Sequence, residues 1–279
     1  MEKHPFNLEE IQKHALSVRA YYNEQPFADK INILNVGKPG TGKTGLLITA
    51  PKPVLEHSFD RGGTKTAMLK SFIERGEIIC DTRFEQDSWK DPKAFRLWET
   101  VINDLQKIGF FDALGTYCLD SATTFAESMM YAIIKTGGKK NISRIGQLPE
   151  LQDYHAQQYI MVDYLNVLMS LPCHVIVNGH LTFIKDEVTG GINTGILLAG
   201  KASDKVPLVF DEKYISRIHN KKFVLQTRSD GYYHAETRVG GLTFSPFEEQ
   251  NLYKLLEKAG LPFADKKPIS NLVQKEVSK

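Results

Sequence analysis

Apolar residues along this chain switch between two spacings, and the switches outline most of the elements. Ile31 to Val36 (INILNV) is an apolar run of strand length. Pro53 to Ser58 (PVLEHS), Gly76 to Asp81 (GEIICD), Gly115 to Asp120 (GTYCLD) and His174 to Asn178 (HVIVN) repeat the pattern. Short runs of this kind, bounded by Gly, Pro and Asp, read as buried strands. Between them the spacing becomes helical. Over 92–107, Phe95, Leu97, Trp98, Val101, Ile102 and Leu105 share one face, and over 151–170 Tyr154, Met161, Leu165 and Leu168 do the same. Ser121 opens another helix to about Lys135, a helix begins at about Lys43, and residues 8–20 form a short amphipathic helix ahead of the core. Strand and helix in alternation predict an α/β fold, a mostly parallel sheet covered by helices on both faces.

The last third changes period. Residues 213–219 and 222–238 read as antiparallel strands, with KFVLQTR and YYHAETR flanking a turn at Ser229-Asp230-Gly231. A final helix is expected from Ser245-Pro246-Phe247-Glu248, a capping box with proline at the first helical position, ending near Gly260. The segment 136–150 is polar and interrupts the helices, and the tail after Asp265 is lysine-rich and loose. The expected organisation is an N-terminal helical extension over 1–29, one nucleotide-binding domain over 30–262 and a polar tail over 263–279.

Composition narrows this little. The chain has 279 residues, 42% of them hydrophobic, and a net charge of +2, so any nucleic-acid surface has to be local. Cys80, Cys118 and Cys173 form no CxxC pair and read as reduced core thiols. No apolar run reaches the length of a membrane span, and the expected setting is the cytoplasm, without a membrane partner.

The chemistry concentrates at Gly37-Lys38-Pro39-Gly40-Thr41-Gly42-Lys43-Thr44, a complete G-x-x-x-x-G-K-[ST] between a strand and a helix, with Gly45 next. Glycines let successive backbone N–H groups turn toward phosphate oxygens. Lys43 reaches the β- and γ-phosphates, and the Thr44 hydroxyl is placed to ligate magnesium. These residues predict binding of ATP or GTP with Mg²⁺, and ATP is taken as the expected cofactor. Asp120 ends an apolar strand, where such a site needs a second metal carboxylate. It also fits a helix cap with Ser121, and the two roles are compatible. No glutamate follows it. Asp60 in VLEHSFDRGG is the candidate for polarising the attacking water, against a plain turn residue. Glu56 reads as a structural strand residue. Asn178-Gly179-His180 sits at another strand end, where His180 or Asn178 could sense the γ-phosphate.

With these residues in hand, the chain resembles the phage-encoded single-domain RecA-like ATPases, short relatives of the RecA and RadA recombinases. The resemblance covers roughly 30–260 and rests on GKPGTGKT, PKPV…FDRGG, YCLDSATT, LPCHVIVNGH, KDEVTGG…LLAGKASDKVPLVFDE and VLQTRSDGYYHAETR in that order. It implies Gly37–Thr44 on the nucleotide, Asp120 on magnesium, an acid at position 60 acting on water, and His180 as a γ-phosphate switch toward DNA-binding loops. Relatives carry glutamate where this chain has the shorter Asp60, which bears on hydrolysis more than on binding. Self-association into a ring or filament is implied, with a cation supplied in trans; Lys201, Lys205, Arg228 and Arg238 are the candidates. Single-stranded DNA is the expected partner, alongside a single-strand binding protein or another replication partner. Two segments suit it: 181–195, glycine-rich with Phe183 and Lys185, and 137–146 with Lys139, Lys140 and Arg144. The competing readings are an ATPase acting on a protein partner, such as a helicase loader or assembly factor, and a small-molecule kinase. The kinase reading lacks an arginine-rich lid helix.

Overall fold

The computed structural model describes residues 7–23, 29–65, 67–140, 148–185, 190 and 192–269. Helix α1 (Leu8–Asn23) precedes the core, and its described side chains are exposed throughout. The chain then runs β1 (Asn32–Gly37), β2 (Val54–Ser58), α2 (Ala67–Glu74), β3 (Ile78–Asp81), α3 (Ala94–Lys107), β4 (Thr116–Asp120), α4 (Ala122–Lys140), α5 (Leu151–Met169), β5 (His174–Lys185) and β6 (Ile192–Ile196). It closes with α6 (Ala202–Lys205), β7 (Glu212–His219), β8 (Lys222–Gln226), β9 (Glu236–Thr237), β10 (Phe247–Glu249) and α7 (Leu252–Ala259).

The strands form one sheet in the order β10-β8-β7-β1-β5-β4-β2-β3, with β6 on β5 and β9 on β7. From β7 to β3 every pairing is parallel; β8, β10, β6 and β9 pair antiparallel. The mostly parallel α/β sheet with antiparallel additions toward the C-terminus is therefore as expected.

Strand alternation sorts the core into two faces. Leu34, Val36, Tyr117, Leu119, Val175 and Val177 pack with Trp98, Phe125, Met161 and Leu165 of α3, α4 and α5. Ile33, Cys118, Ile176 and Tyr214 face the other way, against Leu46, Leu47, Leu69 and the α7 leucines. The three cysteines are free thiols, two buried and Cys80 half-buried. Among the described residues no helix is long and apolar enough to cross a membrane.

Several expected elements differ. The stretch after the glycine loop is a 3₁₀ segment, Thr44–Thr49, rather than an α-helix. Ala50 precedes Pro51 and is extended (φ −84°, ψ 148°), the conformation proline imposes on its predecessor, so the segment cannot lengthen. The hairpin turn is Asn220-Lys221, not Ser229-Asp230-Gly231. Both residues hold positive φ (49° and 63°), as a two-residue type I′ turn requires, and β7 and β8 pair directly across it. The Asp230 carboxylate instead accepts from Tyr232 N and Tyr233 N, which closes a local Asx turn. Ser245-Pro246-Phe247-Glu248 does not start the last helix. Ser245 N does donate to Glu248 Oε1, but Phe247–Glu249 is a strand on β8, and the α7 cap is Asn251, whose side chain accepts from Lys254 N. Gly260 ends that helix with φ 69°, as expected. Within the segment 181–195, residues 181–185 continue β5 and 192–195 belong to β6, paired antiparallel with it, rather than to a loop; 186–189 and 191 lie outside the described residues. The polar segment beginning at 136 is helical as far as Lys140. At the start of the expected tail, Asp265 accepts from Lys52 N, and Lys266 N donates to Lys52 O.

Candidate functional site

The carboxyl ends of β1, β2, β4 and β5 meet around the glycine loop, at the mouth of a cavity of about 950 Å³. That volume is at the upper end for a cofactor-sized ligand. Gly40 and Gly42 line it with positive φ (76° and 87°), backbone that lets N–H groups turn inward. Lys43 is buried and donates through Nζ to Gly37 O (3.0 Å) and Lys38 O (3.2 Å). Burial lowers its pKa from the lysine value, and Asp120 and Asp60 push back. A phosphate in the loop would supply this lysine with a negative partner in place of the two carbonyls.

Thr44 Oγ1 donates to Asp120 Oδ2 at 2.8 Å. Burial raises the Asp120 pKa and nearby Asp60 adds to it, against Thr44, Asn178 and Lys43, which favour the charged form. A hydroxyl and a carboxylate in contact form the oxygen donor pair that a hard cation prefers. Among the described residues no group of three or more His, Cys, Asp or Glu is arranged to hold a metal by itself. The fit is therefore to Mg²⁺ sharing its shell with phosphate oxygens and water, with Thr44 and Asp120 as the protein's share.

Asp60 lies just past β2, on the cavity wall. Ser121 Oγ (2.8 Å) and Thr124 Oγ1 (2.5 Å) donate to its Oδ1, and His180 Nε2 stands 2.9 Å from Oδ2. Burial raises its pKa, but these bonds outweigh burial and hold the carboxyl below its ordinary range. A carboxylate offers about four acceptor positions, so one remains beyond these three donors. A depressed pKa suits orienting a water better than taking its proton. His180 is fixed from the backbone as well, its N–H donating to Thr123 Oγ1 (3.1 Å). The structure thus brings Lys43, Thr44, Asp60, Asp120 and His180 together.

Beneath the loop lies a polar row of which the sequence pattern pointed only to Asn178. Ser216, Asn35 and Asn178 come from the adjacent strands β7, β1 and β5 and are all essentially inaccessible. Gln250 Nε2 donates to Thr41 O (2.8 Å) and Ser216 Oγ (3.1 Å). Ser216 Oγ donates to Asn35 Oδ1 (2.6 Å), and Asn35 Nδ2 donates to Asn178 Oδ1 (3.0 Å). Asn178 then bears on Asp120. Asn178 is therefore a buried member of this row, not a sensor facing the ligand. Glu56 stands on the same face of β2, fully buried, with Cys80 Sγ donating to Oε2; burial first, then Asp120, pushes its pKa up to about 8. That agrees with a structural role. The available signal was Asn35 itself, an amide inside an apolar strand.

Arg61 and the Lys221-Lys222 pair also line the cavity. The cations considered for action in trans do not. Arg228 is tied to the carbonyls of Leu242 and Phe244, and Lys205 lies over the Tyr159 ring (5.5 Å). Lys201 and Arg238 are exposed. Phe183 and Lys185 are on the exposed stretch of β5. Lys139 and Lys140 fall in the last turn of α4, and Arg144 lies outside the described residues.

A strand, a glycine loop gripping its own lysine, and a threonine–aspartate pair at the neighbouring strand end together define a P-loop nucleotide-binding protein. A family model described as an AAA domain matches residues 29–239, and the chain belongs to that family of P-loop ATPases. No curated protein matches the chain. A similar solved structure is a prototypical ATPase from the type III secretion system of pathogenic bacteria. It is 12% identical, with a TM-score of 0.39, and the match covers 67% of this chain and 51% of that one. The chain thus spans about half the length of that structure.

Proposed function

We propose that the chain is a Mg²⁺-dependent, RecA-like ATPase that binds single-stranded DNA and assists recombination, annealing or replication of the phage type. The observation that carries this reading is the continuity of β5. The strand that sets His180 against Asp60 runs unbroken to Phe183 and Lys185, and the Phe183 ring lies 5.0 Å beneath Nζ of Lys38, a residue of the phosphate loop. Phe183 also meets Tyr232 at 5.8 Å. Nucleotide binding that moves Lys38 or His180 therefore acts on an exposed aromatic surface through a single strand. Aromatic rings beside lysines suit stacked bases and backbone phosphates without sequence preference.

Within this reading Lys43 and the loop amides hold the phosphates, Thr44 and Asp120 present magnesium, and Asp60 orients water at its remaining acceptor position. Asp60 acts by orienting that water rather than by taking its proton. Action on a protein partner is the second reading, favoured by Ile184 and Ile192, which stay exposed on the same hairpin. ATP hydrolysis with and without single-stranded DNA, over a salt series, separates the two. Stimulation that fades with salt and is lost in Phe183→Ala supports the DNA reading. A flat response to DNA sinks it in favour of the protein partner.

A further inference from the structure

The residues suited to phosphate and metal line only one end of the cavity. Asp60 just past β2, Asp120 of β4 and His180 of β5 lie on one side of β1. The opposite wall is built from β8 and β10, beyond β7 on the other side. It carries two aromatic rings, Phe223 and Phe247. Phe247 is already covered: it stacks on His219 (4.4 Å between centroids, 8° between planes), and Arg217 lies 5.7 Å from its centre.

Phe223 is different. It is 47% exposed, and among the described residues no other ring or cation packs on it. The next residue on its face of β8, Leu225, is fully buried in the core beside Phe244 and Leu252. Phe223 continues that apolar face past the edge of the core and out over the glycine loop. A Cβ placed on Gly42 would stand 3.0 Å from its Cδ1, so the ring edge rests on the loop. The adjacent type I′ turn and the pairings Ile218–Phe223 and His219–Lys222 fix its position.

We propose that Phe223 is the surface on which the base of the bound nucleotide packs. This rests on the reading of the cavity as a nucleotide site. With the γ-phosphate end fixed by Lys43, Asp120 and Asp60, the nucleoside lies along the β8–β10 wall, where an uncovered ring waits beside the loop. A flat apolar face stacks on any base, so the platform serves affinity for the nucleoside.

The test compares Mg-ATP with Mg-tripolyphosphate, which has the phosphates and no base, by calorimetric titration of wild type, Phe223→Ala, Phe223→Tyr and Lys43→Ala. Phe223→Ala is expected to weaken ATP roughly tenfold to a hundredfold and leave tripolyphosphate unchanged. Phe223→Tyr keeps wild-type ATP affinity, and Lys43→Ala loses both probes. Equal weakening of the two probes in Phe223→Ala overturns the proposal, because the ring would then only prop the loop at Gly42. Unchanged ATP affinity overturns it too. If wild type binds neither probe, the nucleotide reading falls and takes the platform with it.

Discussion

Replacing Asn35 with leucine, a side chain of similar size, removes the middle of the polar row beneath the phosphate loop. Asn35 is fully buried, donates to Asn178 Oδ1 at 3.0 Å and accepts from Ser216 Oγ at 2.6 Å. Leucine fills the space and serves neither partner. Each buried group so orphaned costs roughly 1–3 kcal/mol, so the expected loss is about 2–6 kcal/mol, a large share of the roughly 5–15 kcal/mol by which a domain is stable. Urea unfolding of the apo protein, followed by tryptophan fluorescence, reads it directly. Ser216→Ala orphans only Asn35 Oδ1 and is expected to cost about 1–3 kcal/mol. The double variant should lose less than the two singles combined, because the hydroxyl that leucine strands is no longer there. A loss below about 1 kcal/mol for Asn35→Leu, or strict additivity, would refute the idea that these side chains act as one bonded unit.

Two further expectations follow from the geometry. Gly37→Ala would place a Cβ 2.6 Å from Thr41 Oγ1 and 2.7 Å from the backbone oxygen of Ser216, which cannot swing aside; it should cost more than tenfold in ATP affinity by roughly the 1.4 kcal/mol-per-decade rule, and wild-type affinity in calorimetric titration would contradict this. His174 is held neutral, its pKa lowered by burial to about 4, with Nδ1 accepting from Ile31 N. The folded chain then binds fewer protons than the unfolded one between about 4 and 6.5, so this stabilisation is complete above 6.5 and lost as pH falls through 4, at most about 3 kcal/mol. Urea midpoints measured across that range should fall less steeply for His174→Asn than for wild type; parallel profiles would contradict the assignment.

What the sequence made legible was whatever depends on local pattern. The apolar runs placed β1 to β5, because a strand buried on both faces needs near-continuous apolar residues. The glycine loop placed the nucleotide site, because few other chemistries need that density of glycine and lysine. Asp60 follows an apolar run and does lie just past the end of β2, whereas His180 was expected at a strand end and instead sits inside β5, which continues to Lys185 because β6 pairs with its second half. The failures came where a local signal competes with tertiary pairing. Ser245 and Glu248 do make the bond of a capping box, but β8 recruits Phe247–Glu249 as a strand and moves the cap to Asn251. Asp230-Gly231 is a good turn, yet Asn220-Lys221 turns first because β7 and β8 pair immediately across it. Gln250 and Phe223 were invisible because their importance arises only where β8 and β10 close one side of the cavity, far along the chain from the loop they touch.

Use of ATP at the glycine loop is the central claim. The most direct measurement is phosphate release from Mg-ATP by wild type and Lys43→Ala, with binding of both proteins to Mg-ATP measured alongside. Slow, magnesium-dependent release in wild type, with binding and release both lost in Lys43→Ala, is the predicted result. Equal binding and equal release by the two proteins would contradict it.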